Sequence, residues 1–172
     1  MKNMLSRMGS CVLAIALTAS LAQAQQATSL QAAFGEDAGT LSEKFTGLAR
    51  VMAGKYDWKP GQGVRSVADV FFLIVRENTL VASVLAGTPN PGTPAPITDP
   101  EKMQGALKST YAKLQAAITG LSDSDMQATV KVFGKEWTKR DALIHLLVDQ
   151  HEHLGQSIAY ARTNGVVPPW SK

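Results

Sequence analysis

A chain of 172 residues, 45% hydrophobic and 18% charged, has the size and composition of one globular core. Its net charge of +3 comes without any Lys/Arg cluster, which argues against a track for nucleic acid or anionic lipid. The single cysteine, Cys11, lies near the start, so no disulfide framework, cysteine nucleophile or thiolate metal site is expected in the body of the chain.

The first 24 residues read as an export leader. Lys2 and Arg7 give the positive start, Cys11 to Ala22 an apolar run, and Ala22-Gln23-Ala24 the small-x-small pattern at which signal peptidase cuts. The apolar run is shorter than the roughly 20 residues that span a bilayer, so no stable membrane insertion is expected. Met8-Gly9-Ser10 is a poor lipobox for Cys11. The expectation is a removed leader (1–24), one domain (25–172) and a periplasmic or secreted location in a bacterium. Lys2 and Arg7 account for two of the three net charges, so the remainder is close to neutral.

Four helical segments follow, with no convincing β-pattern. The first is expected over Ser29 to Ala53, with Leu30, Phe34, Leu41, Phe45, Leu48 and Met52 at helical spacing. Gly35 and Gly39 predict a late or irregular start, and Gly54 a stop. Ser66, with Asp69 three residues on, predicts a capped second helix over Val67 to Leu85 carrying Val70, Phe71, Ile74, Leu80, Val81 and Val84. After Gly87 the run TPNPGTPAPIT cannot be helical and predicts an extended surface loop over Thr88 to Ile97.

Thr98-Asp99-Pro100-Glu101 predicts the start of a third helix with Leu107, Leu114, Ile118 and Leu121 facing the core. The stretch after it is too polar for a long helix, and Thr129 to Phe133 reads as extended. Thr138 with Asp141 caps the last helix, which ends at Asn164-Gly165 before Pro168-Pro169. The fold class is all-α: a four-helix bundle with a long Pro-rich crossover loop, and not a plain up-down meander.

Chemistry is expected on the last helix. His145, Asp149 and His153 stand at i, i+4 and i+8, each rotated about 40° from the one before. Imidazole and carboxylate one turn apart converge on a point that suits a first-row divalent metal. His151 lies on another face. Helix two carries Asp69, Leu73 and Glu77 on one face, so Glu77 or Asp69 could meet Asp149 and His153 between facing helices. The plainer expectation is that Asp69 caps its own helix, Glu77 is solvated and His145 is a hydrogen-bonded core histidine. Tyr56, Trp58, Trp137, Tyr160 and Trp170 read as packing groups, with a role for Tyr160 or Gln156, one or two turns beyond His153, in holding a ligand as the alternative.

Two segments, YDWKPGQGVRSVADVFFLIVREN and HLLVDQHEHLGQSIAYARTNGVVPPW, resemble the turn, second helix and last helix of the DinB-like (DinB/YfiT-type) superfamily of four-helix bundles. With the helix order, the resemblance runs from about Phe34 to the C-terminus. It implies a divalent metal held by three histidines, one in helix two and an HxxxH pair just before a Gly-Gln in the last helix. Aligned on Gly155-Gln156, the second His of the pair matches His153, the first falls on Asp149, and the helix-two histidine falls on Leu73. His145 matches a further histidine that is not a usual ligand.

The resulting expectation is an exported DinB-like domain of unknown specific activity. Its degenerate metal site would serve as a small-ligand or structural module, with Asp149 and His153 as a hydrogen-bonded pair. The alternative is a metal-dependent enzyme of the superfamily's thiol-transferase or hydrolase type, its tentative ligands being His153, Asp149 and Glu77. Such a set would take Mn, Fe, Ni or Zn, its oxygens shifting preference from zinc towards manganese, iron or magnesium. A function through partner contacts is a third reading. The partners expected are a small-molecule ligand and a second copy in a homodimer, not nucleic acid.

Overall fold

Each α-helix begins where a short side-chain oxygen accepts the N–H three residues on. Ser29 accepts from Ala32, Ser66 from Asp69, Asp99 from Lys102, Ser122 from Asp125 and Thr138 from Asp141. At Ser66 and Ser122 the aspartate reaches back to the cap N–H and closes a capping box. The computed structural model describes residues 29–171. The leader reading, Met1 to Ala24, lies outside them.

The elements are α1 (Leu30–Val51), a 3-10 turn (Ala53–Lys55), α2 (Val67–Ala86), α3 (Pro100–Thr119), α4 (Asp123–Gln127), β1 (Thr129–Val132), β2 (Lys135–Thr138) and α5 (Lys139–Thr163). α3 packs on both α1 and α2, and α5 closes the other side against the same two helices. The long helices therefore run round the bundle in the order α1, α3, α2, α5, the crossover arrangement expected. Phe45 of α1 meets Phe71 of α2 edge-on at 6.4 Å and stacks on Tyr111 of α3 at 6.4 Å. These rings and Leu41, Leu48, Ile74, Leu107, Leu114, Leu143 and Leu146 make a core almost closed to solvent. Among the described residues no helix is long and apolar enough to cross a membrane.

Several expectations change. Gly35 and Gly39 do not disturb α1, which is helical from Leu30 onward. They face α3 at close range: a Cβ at Gly39 would stand 2.9 Å from Gln115 Nε2, and Gln115 donates to the Gly35 carbonyl at 2.9 Å. The absence of side chains there lets two helices approach, which outweighs the propensity cost. α1 stops at Val51, before Gly54, and Leu121 lies beyond α3, half-buried.

Thr129 to Phe133, expected to be extended, supplies the first strand of a β-hairpin whose second strand, β2, was not expected. Thr129 pairs with Thr138 and Val132 with Lys135. The turn between them has Phe133 at φ 54° and Gly134 at φ 76°, left-handed at both central positions as a tight hairpin requires. Phe133 is the only non-glycine residue with positive φ among those described.

Candidate metal centre

α2 and α5 lie side by side, and each contributes to one small cluster of ligand-type atoms. Asp149 and His153 are one turn apart on α5, with His153 Nε2 3.5 Å from Asp149 Oδ2. Glu77 reaches them from α2. One ligand atom from each of Glu77, Asp149 and His153 lies within 4.8 Å of the other two. The His153 side chain is 16% exposed and that of Asp149 36%, so the cluster is partly open to solvent.

The electrostatics of this cluster are unbalanced. Glu77 Oε2 is buried and has no hydrogen-bond partner. Burial first, and then the charge and hydrogen bonding of Asp149, push the Glu77 carboxyl up to about 8, while Arg65 and Arg76 pull it the other way. Two carboxylates held this close resist ionising together unless a cation lies between them. The donor set, two carboxyl oxygens and one imidazole nitrogen, fits a divalent metal, and Glu77 Oε2 is left without a proton donor.

Behind His153 runs a chain of hydrogen bonds. His153 Nδ1 lies 2.9 Å from Gln156 Oε1, Gln156 Nε2 donates to the Tyr160 hydroxyl at 2.8 Å, and Tyr160 donates to the Arg65 carbonyl at 3.2 Å. In front of Glu77 lies a cavity of about 220 Å³. Leu73, Leu80 and Phe133 give it apolar walls, Arg76 a cation, and Asn90 and Thr93 of the Pro-rich loop polar groups.

The other candidates fall elsewhere. His145 is neither a ligand nor a core histidine: it is exposed, its ring stacked on Trp137 at 5.1 Å and edge-on to Phe133 at 5.4 Å. Asp69 caps its own helix, as the plainer reading had it. Glu77 is half-buried in the cluster instead of solvated, because its place on α2 faces the α5 turn that carries Asp149. His151 pairs with Asp37 of α1 at 3.0 Å on the surface. Gln156 stands against His153 Nδ1, and Tyr160 stands behind Gln156.

Sequence reasoning missed the neighbours on the inner side. Tyr111 donates to Gln150 Oε1 at 2.8 Å, and Gln150 Nε2 donates to Asn78 Oδ1 at 2.7 Å. All three side chains are fully buried. The signal was present: Asn78 continues the apolar face of Phe71 and Ile74 on α2, and Gln150 that of Leu143 and Leu146 on α5. A polar side chain on a core-facing position needs a buried partner.

Residues 20–157 match the sequence profile of the DinB superfamily. The chain belongs to the DinB superfamily. Two solved DinB-like structures share the fold. A DinB-like protein from Bacillus subtilis is 19% identical with a TM-score of 0.65, over 77% of this chain and 92% of that one. Another, from Bacillus cereus, is 17% identical with a TM-score of 0.69, over 81% of this chain and 95% of that one. No curated protein matches the chain. Against the three-histidine pattern that the resemblance implied, this DinB-superfamily chain has Leu73, Asp149 and His153, with Glu77 one turn along from Leu73.

Proposed function

We propose that this protein is an exported DinB-superfamily member that binds a divalent cation through Glu77, Asp149 and His153 and presents it to a small-molecule cavity. The observation that carries this reading is the buried, unpaired Glu77 carboxyl oxygen beside a second carboxylate. Two acids this close need either a retained proton or a cation between them. Glu77 takes over the ligand role of helix two that Leu73 cannot fill.

The cavity supports hydrolase or transferase chemistry. Leu73, Leu80 and Phe133 exclude water from the apolar part of a ligand, and Arg76 offers a counter-charge at the wall. A bound divalent cation would polarise a ligand oxygen or lower the pKa of a group coordinated to it. The Lys/Arg, apolar, Ala-Gln-Ala order of the first 24 residues supports action outside the cytoplasm.

One observation favours a second reading, a structural module without metal. Asp149 and His153 already stand 3.5 Å apart, close enough to act as an ion pair when the ring is protonated.

A thermal melt separates the two. With Mn²⁺ or Zn²⁺ at about 100 times the Kd, binding to the folded state alone adds about 2.7 kcal/mol. That is a rise in Tm of roughly 5–10 °C over the melt in EDTA. The rise should vanish in His153→Ala. Unchanged melting of the wild type with every metal would establish the structural pair instead.

A further inference from the structure

We propose that the backbone carbonyl of Arg65 sets the tautomer of His153, acting through Tyr160 and Gln156 as positioning residues. The inference rests on the reading above of His153 as a ligand through Nε2, and it concerns what makes that nitrogen available.

One group in this series of hydrogen bonds has a fixed role. A backbone carbonyl only accepts, so the Tyr160 hydroxyl, 3.2 Å from Arg65 O, must donate to it. A phenol has one proton. With that proton committed to Arg65, the Tyr160 oxygen can only accept from Gln156, which therefore turns its NH₂ group towards it at 2.8 Å. The other end of the same amide, Oε1, then faces His153 Nδ1 at 2.9 Å and can only accept. The ring must carry its proton on Nδ1. In the neutral imidazole the lone pair is left on Nε2, the atom that faces Asp149 Oδ2.

The opposite state is equally well defined. Turning the Gln156 amide over would aim NH₂ at Nδ1 and accept the Tyr160 proton at Oε1. The Arg65 carbonyl would lose its donor, and the ring would carry its proton on Nε2, pointing at Asp149. Such a ring pairs with a carboxylate but offers no lone pair to a cation. The choice between a ligand and a structural pair is thus made three hydrogen bonds away, in the segment before α2.

Packing holds the decisive end. Tyr160 is almost wholly buried, and the Trp58 ring packs edge-on against it at 5.2 Å. The backbone of that segment is tied to α2 by Val67 N–H to the Trp58 carbonyl at 3.0 Å and Ala68 N–H to the Tyr56 carbonyl at 3.0 Å. Hydrogen bonds from the second nitrogen of a ligating histidine orient the ring, and losing them commonly costs about 10- to 100-fold in metal affinity.

The test is ¹⁵N NMR of the imidazoles in the metal-free full chain, at a pH where His153 is neutral, beside Zn²⁺ titration of the same samples. Wild type should show Nδ1 protonated and Nε2 bare. Tyr160→Phe removes the fixed donor and should convert much of the population to the Nε2-protonated ring. Its Zn²⁺ affinity should fall about tenfold. Adding Gln156→Glu supplies a group that can only accept, and should restore both the Nδ1 proton and the affinity. A merely structural role for Tyr160 would not move the tautomer or be rescued in this way. A wild-type ring protonated on Nε2, or an unchanged tautomer in Tyr160→Phe, would overturn the proposal. If wild type shows the Nδ1 proton but binds no Zn²⁺, the metal reading fails while the tautomer assignment stands. The wild-type spectrum decides the assignment even if a variant does not fold.

Discussion

Glu77 and Asn78 are adjacent on α2, and Asp149 and Gln150 are adjacent on α5, yet the two pairs obey opposite rules. Asn78 and Gln150 point inward to Tyr111 and form a neutral, fully buried network in which only Asn78 Nδ2 lacks a partner. Glu77 and Asp149 point to the neighbouring side, where two acids and a histidine share one small space with a carboxyl oxygen unpaired. A buried polar group is tolerated when it finds its complement. Each side keeps one orphaned polar atom, Asn78 Nδ2 inside and Glu77 Oε2 outside, but only the outer one lies beside a second acid.

The sharpest break of this comparison is to delete one member from each side. Gln150→Ala strands the Tyr111 hydroxyl and the Asn78 carbonyl oxygen and leaves a hole, so it should destabilise by about 3 kcal/mol. Denaturant unfolding measures this, and a loss below about 0.5 kcal/mol would deny the network any role in holding the bundle.

Glu77→Gln should act in the reverse sense. Its carboxyl is raised from 4.5 to about 8 in the folded protein, so between those values the folded state holds a proton that the unfolded state has released. Metal-free stability therefore falls as pH rises through that window and levels off above it. Glu77→Gln removes the slope and, after discounting for partial exposure, should be more stable than wild type by about 2 kcal/mol at the alkaline end. A wild-type profile that is flat between pH 4.5 and 8 would show that Glu77 ionises freely.

The smallest effect asks whether Leu73 stands beside the cluster. Leu73 lines the same cavity as Glu77, and Leu73→His would add an imidazole on the helix-two side. Zn²⁺ or Ni²⁺ affinity should rise at least tenfold, about 1.4 kcal/mol by titration. Equal affinity in both proteins would place the site away from Leu73.

The bundle itself was legible because its signals are local. Ser66 with Asp69, Asp99 with Pro100, and Thr138 with Asp141 are caps whose chemistry acts over three residues, and each marks the helix start it promised. The cluster was legible only in part. The i, i+4, i+8 stripe drifts about 40° with each step, so over two turns His145 swings about 80° from His153. It ends under Trp137, beside the hairpin, and not with Asp149. Which way Glu77 faces depends on how α2 sits against α5, a long-range property that no pattern on α2 encodes. The inner network was hidden for a related reason: Asn78 and Gln150 look like breaks in two apolar faces until those faces are opposed. Of the hairpin only the extended first strand was legible; its partner was not, because the strands are four residues each and the turn begins with an aromatic residue.

That aromatic residue carries a consequence for how this protein can be improved. A side chain in the left-handed region costs about 1–2 kcal/mol that glycine avoids and asparagine largely escapes. Phe133 accepts this strain and sets its ring at once on the cavity wall and against His145. An engineer selecting for heat resistance alone would therefore be drawn to Phe133→Gly or Phe133→Asn, relaxing the turn and, in the same step, opening the wall of the chamber beside Glu77. At this one residue durability and an intact cavity wall are competing objectives, and the chain as it stands favours the wall.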